Sequence, residues 1–268
     1  MSTAQATGVE RIAAAFAGSG KDAALMPYLM GGFPSLQQSV SIGLACAQAG
    51  ADLLELGVPY TDPLADGPVI HAAATQALSC GASLAGVLEV ARELSPSVPV
   101  VLMCYANMVL APGAPLFVER LAQAGAAGLI VPDLPYEEAD EVLGACDAHG
   151  IALVPLVAPT TPPERLAAIG RRARGFLYTV SVVGTTGERA ALSERFAQIV
   201  AQAKAATEVP VAIGFGISTP EQAAQAAAAG ADGVIVGTRL VRAAAESPRD
   251  PSIAVGEVVA GLARALSR

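Results

Sequence analysis

The sequence predicts a (β/α)8 TIM barrel of the α/β class, with additional helices before its first strand and after its last. Short apolar runs alternate with helical patterns eight times along the chain, which is the order of elements in such a barrel. A motif that begins Ala-Gly-Ala recurs at residues 49–52, 124–127 and 229–232, each time after a helical pattern and before an apolar run. With 268 residues, 53% of them hydrophobic, the chain also has the size of one such barrel.

The elements follow from the apolar runs and from the glycines that end the preceding helices. Gly50, Gly125 and Gly230 stand where a helix ends, a position that favours glycine because it tolerates a positive φ angle. A weaker fourth copy occurs at residues 149–151. The predicted strands are residues 25–30, 52–56, 98–104, 128–131, 152–157, 175–181, 209–214 and 233–236. The additional helices are predicted near residues 10–17 and 254–266.

An open, doubly wound sheet is the alternative fold. After its first predicted strand, however, the chain reads Gly31-Gly32-Phe33-Pro34 and lacks the G-x-G-x-x-G turn of dinucleotide-binding sheets. No Gly/Ser linker, charge block or low-complexity tract divides the sequence. Residues 1–268 are therefore predicted to form a single barrel domain.

Charge and composition exclude several classes of function. The formal net charge of −8 and the absence of a Lys/Arg cluster argue against binding to nucleic acid or to an anionic membrane surface. The N-terminus lacks the pattern of a signal peptide, and no apolar run is long enough to span a membrane, so a cytoplasmic protein is expected. Cys46, Cys80, Cys104 and Cys146 form no Cys-x-x-Cys pair, which favours buried free thiols over a metal site or a redox dithiol.

The most informative segment is ELGVPYTDPLADGP, residues 55–68. Glu55 lies in a run that is otherwise apolar apart from a second acid, as expected for a strand covered on both sides. Because an ionised carboxylate is costly to bury, Glu55 is either a paired structural acid or a working one. The loop that follows carries Asp62 and Asp66 on a backbone stiffened by three prolines. A rigid acidic loop at the end of a strand is typical of a catalytic loop.

Few other residues could carry the chemistry. Lys21 precedes the first predicted strand and Lys204 lies in a helix after the sixth, so neither is placed to form a Schiff base at the catalytic end of a barrel. His149 precedes the fifth strand, and His71 has no spaced ligand partner. A surface or helix-cap role is favoured for both histidines, and no metal site is expected. Carboxylates and tyrosines remain as the acids and bases.

Glycine-rich turns follow the last three predicted strands, at residues 184–187, 214–218 and 237–238. In barrels, the loops after strands 7 and 8 often bind phosphate through backbone N–H groups and the N-terminus of a helix. One such turn is weak support, because glycine is common wherever a strand leads into a helix. Three converging turns favour a phosphate site.

These segments together resemble the tryptophan synthase alpha subunit family, over nearly the whole chain. The resemblance is carried by residues 55–71, by Tyr105-Ala106-Asn107 and Val131-Pro132-Asp133-Leu134-Pro135, and by the glycine-rich turns. It implies reversible retro-aldol cleavage of indole-3-glycerol phosphate to indole and D-glyceraldehyde 3-phosphate, with Glu55 and Asp66 as catalytic residues and no metal or organic cofactor. The expected substrate-binding residues are Tyr28, Tyr105, Leu129, Leu156, Tyr178, Thr186 and Phe215, and the expected phosphate-binding residues are Gly187, Gly216, Gly237 and Thr238.

The resemblance also implies a partner, a beta subunit that uses pyridoxal phosphate and receives the indole within an α2β2 assembly. Pro59 and Asp62 are expected at that interface. Thr186 is expected to help position Asp66 when its loop closes, although Val182 stands where many relatives carry arginine. Two alternatives are a subunit that only binds and activates its partner, and a lyase that works alone. The retained Glu55 and Asp66 argue against the first alternative.

Overall fold

The structure is a computed structural model that describes residues 6–180, 189–214 and 216–267, with only the backbone of residues 189–195. Its nine strands are β1 (Ala24–Met30), β2 (Leu54–Gly57), β3 (Val100–Met103), β4 (Gly128–Ile130), β5 (Ala152–Val154), β6 (Leu156–Val157), β7 (Leu177–Val180), β8 (Val211–Gly214) and β9 (Gly233–Val236). They form one parallel sheet in the order β5-β4-β3-β2-β1-β9-β8-β7-β6. The sheet curves into a nearly closed barrel, which confirms the predicted fold class.

The fifth predicted strand, residues 152–157, was expected to be continuous and is in fact two pieces. β5 pairs with β4, β6 pairs with β7, and Pro155 separates them. Proline has no backbone N–H to donate to a ladder, but its carbonyl still accepts from the Tyr178 N–H at 3.0 Å. The chain itself therefore joins the two edges of the sheet at Pro155.

The helices lie between the strands in the predicted alternation. They are α1 (Gly8–Gly18), α2 (Leu36–Gln48), α3 (Pro68–Ser79), α4 (Leu84–Leu94), α5 (Ala106–Leu110), α6 (Ala114–Gln123), α7 (Asp140–His149), α8 (Pro163–Arg172), α9 (Arg189–Lys204), α10 (Pro220–Ala228), α11 (Thr238–Glu246) and α12 (Pro251–Leu266). A short 3-10 helix spans Tyr136–Glu138. Gly50, Gly125 and Gly230 follow the ends of α2, α6 and α10 with φ angles of 102°, 73° and 91°, so the predicted helix-ending role of these glycines is confirmed.

The core has two layers because successive strand residues point to opposite faces of the sheet. Inside the barrel, Met26, Leu53 and Phe176 pack together, and Ile12 of α1 packs against them. The Phe16 ring of α1 lies 5.7 Å from the Phe176 ring, centroid to centroid. The predicted N-terminal helix therefore covers the N-terminal end of the barrel, and the opposite end is left for a site.

Both lysines lie at the N-terminal ends of the strands, as predicted. Lys21 pairs with Asp52 at 2.8 Å, and the other oxygen of that carboxylate accepts from the Leu25 N–H at 2.7 Å. Lys204 and Asp232 repeat this arrangement, at 2.8 Å for the ion pair and 2.9 Å from the Val211 N–H. The aspartates of two of the Ala-Gly-Ala motifs are thus paired structural acids.

Three of the four cysteines fit the prediction of buried free thiols. Cys46, Cys104 and Cys146 are buried, but Cys80 is exposed, so the expectation was wrong for this residue. Cys80 caps the C-terminus of α3, where the chain has passed the buried stripe formed by Ala73, Ala74 and Ala77. In the part of the chain that the structure describes, no helix is long and apolar enough to cross a membrane.

Candidate active site

Three polar side chains, from β1, β2 and β7, lie close together inside the barrel. Tyr28 of β1 lies opposite Glu55 of β2 in the strand register, and Tyr178 reaches the same region from β7. Their exposed fractions are only 5%, 1% and 4%. Within the described residues, the Tyr28 hydroxyl and Oε2 of Glu55 have no hydrogen-bond partner. Because unpaired buried polar atoms are costly, these two atoms mark a candidate functional site.

The surroundings of Glu55 keep its carboxyl group neutral. Burial, together with the smaller effect of the nearby Asp66 charge, raises the pKa of Glu55 from its ordinary value of 4.5 to about 8. The group therefore carries its proton at pH 7. A protonated carboxylic acid that can lose its proton near neutral pH is suited to general acid and base chemistry.

Asp66 lies in a different environment, just before the N-cap residue of α3. Burial raises the pKa of Asp66, whereas a hydrogen bond from Tyr105 and the charge of His71 lower it. The Tyr105 hydroxyl also accepts from the Ala65 N–H at 3.1 Å. In the structure, Tyr105 bonds Asp66, while the charge of Glu55 acts on the buried Tyr178.

Gly57 and Gly214, which the sequence analysis included in longer segments without giving them this role, make room for Tyr28 and Tyr178. A Cβ atom at Gly57 would lie 2.2 Å from the Tyr28 hydroxyl oxygen, and a Cβ at Gly214 would lie 2.5 Å from that of Tyr178. Each glycine is the last residue of its strand, β2 or β8. A glycine at the inward-facing end of a strand is the signal that could have found them.

A cavity of about 430 Å³ opens beside the break between β5 and β6, and it is lined mainly by residues that follow β4, by β5 and β6, and by α7 and α8. Ala65 also lines it, whereas Tyr28, Glu55 and Tyr178 do not. Leu156, a predicted substrate-binding residue, lines it together with Val180 and Pro132. Leu129, in contrast, packs in the outer layer against the helices, so the expectation that it walls the pocket was wrong. Its neighbour Ile130 points into the barrel instead, because a shift of one residue reverses the face of a strand.

The predicted phosphate-binding residues of the described chain follow β8 and β9, and Gly237 lies beside Tyr28 of β1, the strand next to β9. Gly237 is the N-cap of α11 and forms no side-chain cap, and the exposed Thr238 is the first residue of that helix. Gly216 follows β8 in a left-handed conformation, with φ of 83°. A Cβ at Gly237 would lie 3.3 Å from the Cβ of Tyr28. The N-terminus of α11 thus meets the mouth, as an anion site requires.

The loop of residues 59–66 covers one side of the mouth. Asp62 is exposed, as expected of an interface residue, but Pro59 is buried and offers little surface to a partner. Leu64, which the sequence analysis did not consider, has 83% of its surface exposed. Thr186, Gly187 and Phe215, the other predicted site residues, lie outside the described residues, as does Val182.

The histidines and the possible metal ligands can be placed directly. His149 ends α7, in keeping with the favoured helix-cap role. His71 is on the surface of α3, and its charge lowers the pKa of Asp66. Across residues 6–180, 189–214 and 216–267, no group of three or more His, Cys, Asp or Glu side chains could hold a metal ion.

Comparisons with known proteins agree with this geometry. A family model described as "Tryptophan synthase alpha chain" matches residues 15–265. The tryptophan synthase alpha chain of Prochlorococcus marinus is 50% identical over 84% of this chain and 83% of its own length, and that of Gloeobacter violaceus is 48% identical over 87% and 86%.

Solved structures give the same result. Tryptophan synthase subunit alpha from Legionella pneumophila superposes with a TM-score of 0.88 at 36% identity, covering 98% of this chain and 99% of its own. A Mycobacterium tuberculosis tryptophan synthase structure gives a TM-score of 0.87 at 37% identity, covering 98% of this chain and 100% of its own. The chain belongs to the tryptophan synthase alpha chain family.

Proposed function

We propose that this protein cleaves indole-3-glycerol phosphate reversibly to indole and D-glyceraldehyde 3-phosphate, as a carbon–carbon lyase. The observation that carries the proposal is Glu55, a carboxyl group that is buried at the mouth, unpaired at Oε2 and neutral at pH 7. The membership of the chain in the tryptophan synthase alpha family supports this substrate.

The proposed reaction needs one acid that also acts as a base. To break the bond between indole and the glycerol chain, C3 of the indole must gain a proton and the hydroxyl on the adjacent carbon must lose one. Glu55 holds a proton at neutral pH and can donate it to C3, after which its carboxylate can accept the proton of the hydroxyl. The bonding electrons pass to the indole ring, the aldehyde forms, and Glu55 is regenerated with no net change in protons.

Asp66 is proposed to stabilise the positive charge that develops on the ring. Protonation at C3 makes the ring N–H a stronger donor, and a carboxylate is the matching acceptor. The hydrogen bond from Tyr105 and the charge of His71 both favour the ionised form of Asp66. Tyr28 and Tyr178, which are buried near Glu55, and Leu156 would then contact the apolar ring.

The phosphate group is proposed to bind at the N-terminus of α11. Gly216, Gly237 and Thr238 would offer backbone N–H groups and one hydroxyl to it, and the helix dipole would favour the negative charge. Gly187 is proposed to complete this site.

The partner is proposed to be a tryptophan synthase beta subunit in an α2β2 assembly, which would hold pyridoxal phosphate and use the indole for L-tryptophan synthesis. The carboxylate chemistry proposed for this chain requires no cofactor of its own. The exposed Leu64 and Asp62 support the loop of residues 59–66 as the contact surface, because a large apolar side chain that is 83% exposed gains from being covered.

The experiment is turnover of indole-3-glycerol phosphate by the purified chain, with and without a beta subunit, measured as release of indole. We expect slow release by the chain alone and faster release in the complex. No release in either condition, with a correctly folded chain by circular dichroism, would refute the proposed activity. Undiminished release without any partner effect would instead favour a lyase that works alone.

A further inference from the structure

Asp133 lies outside the cavity but forms a hydrogen bond that bears on the catalytic loop. Its Oδ1 accepts from the Ala106 N–H, the first amide of α5, at 2.8 Å. The N-cap residue of α5, Tyr105, provides no side-chain cap of its own. Asp133 therefore caps this short helix from a distant loop, 27 residues along the chain.

The capped end of α5 holds the catalytic loop at two points. Near the end of the loop, the Tyr105 hydroxyl accepts from the Ala65 N–H at 3.1 Å and bonds the carboxylate of Asp66. At the start of the loop, the Tyr60 ring stacks on the Tyr105 ring at 5.2 Å between centroids. The Tyr60 hydroxyl also accepts from the Asn107 side chain at 3.3 Å. The orientation of α5 thus sets the position of residues 60–66.

Asp133 also belongs to the segment that walls the cavity. Its neighbours Pro132 and Leu134 both line the cavity, as does Ala65 of the catalytic loop. The Asp133 carboxylate therefore links the position of this wall segment to α5, and Tyr105 links α5 to the loop.

We propose that Asp133 is a positioning residue for Asp66, which acts by fixing the N-terminus of α5 and, through it, the Tyr105 hydroxyl. This inference rests on the proposed function for its effect on turnover. The contacts that it invokes exist independently of the reaction, so they can be tested independently.

The test compares Asp133→Ala, which loses the cap, with Asp133→Asn, whose amide oxygen can still accept from the Ala106 N–H. Asp232→Ala is the matched control, because this carboxylate also accepts a backbone N–H, at 2.9 Å, but at the opposite end of the barrel. We expect Asp133→Ala to lower kcat for indole-3-glycerol phosphate by about 10- to 100-fold, since small misplacements of catalytic groups have costs of this size. KM should change little, and Asp133→Asn should recover most of the rate.

The pH profile separates positioning from a simple change of charge. Losing the Tyr105 hydrogen bond would raise the pKa of Asp66 and move the acidic limb of kcat/KM to higher pH, whereas removing the Asp133 charge alone would move it lower. Asp133→Ala and Tyr105→Phe should therefore shift the limb upward, and the double variant should shift it no further. Additive shifts, or a limb that is unchanged in Asp133→Ala, would overturn the proposal.

Hydrogen exchange at Ala65 gives a readout that does not depend on turnover. In the wild type, its N–H is bonded to the Tyr105 hydroxyl. Asp133→Ala should accelerate exchange of this amide, while Asp133→Asn and Asp232→Ala should not. Unchanged exchange in Asp133→Ala would refute the positioning role even if the wild type is active, and a wild type that releases no indole would refute the proposed function instead.

Discussion

Replacing Glu55 by glutamine tests the burial of this side chain and its chemistry in one variant. Glutamine has nearly the same shape, but it stays neutral at every pH and cannot donate a proton as an acid. Glu55 is 1% exposed, and its pKa rises from 4.5 to about 8, chiefly through burial. The folded protein therefore keeps the proton over a pH range in which the unfolded chain loses it.

The effect on stability follows from this difference in bound protons. Between pH 4.5 and about 8 the native state binds more protons at Glu55 than the unfolded state, so the free energy of unfolding falls as the pH rises. Each pH unit in that interval is worth about 1.4 kcal/mol. Relative to the wild type, Glu55→Gln should gain about 3 kcal/mol on going from pH 4.5 to pH 7 and about 5 kcal/mol above pH 8.

Two assays check the prediction. Urea unfolding of both proteins at pH 5 and pH 9 should show a stability difference that grows in favour of Glu55→Gln at the higher pH. In the indole-release assay, the variant should keep its KM and lose about 10²- to 10⁴-fold in kcat, the usual contribution of a positioned acid. The same stability difference at both pH values would show that Glu55 is ionised in the fold. A retained kcat would show that another group supplies the proton.

Three further predictions concern the phosphate site, the partner and the Asp66 environment. Gly237→Val should obstruct the N-terminus of α11. Glycerol phosphate should therefore raise the Tm of the wild type more than that of the variant. Equal increases in Tm would show that phosphate does not bind at this position. Asp62→Ala changes an exposed residue and should weaken the mutual activation of the two subunits in a titration with beta subunit, because the coupling between subunits is typically about 1–3 kcal/mol. The slow activity of the chain alone should stay nearly unchanged. Undiminished activation would limit the role of the loop to catalysis within this barrel. His71→Gln should move the acidic limb of the pH–rate profile to higher pH, because the His71 charge lowers the pKa of Asp66. His149→Gln, at the end of α7, is the control that should leave the limb in place. The same limb position in both variants would show that His71 does not act on Asp66.

The barrel could be predicted because its elements repeat. Each predicted strand overlaps an observed one, and most observed strands are only a few residues shorter. The division of the fifth strand escaped prediction, although Pro155 was visible in the sequence. A proline within an apolar run can end a strand or lie at its edge, and the choice depends on whether the neighbouring strands need its N–H.

The acidic residues of the site could be predicted from the sequence, but the residues that line the pocket could be predicted less well. Glu55 stood out because a carboxylate in an apolar run is costly, and the structure shows it buried and unpaired at Oε2. Leu129 was misplaced because β4 has only three residues, too few for a periodic pattern to show which side chains face inward. The hydrogen bond between Tyr105 and Asp66 joins residues that are far apart in sequence, so no local pattern announces it.

One short segment places the two carboxyl groups in different surroundings. Glu55 faces the interior, where Oε2 has no donor among the described residues, and it stays neutral. Burial raises the pKa of Asp66 as well, but the Tyr105 hydroxyl and the His71 charge act in the opposite direction and favour its ionised form. The Asp66 charge in turn raises the pKa of Glu55, so a Glu55 that has lost its proton faces a second negative charge and is driven to regain one. In the proposed reaction, Asp66 would therefore act twice, first on the ring cation and then by making the Glu55 carboxylate a stronger base toward the substrate hydroxyl.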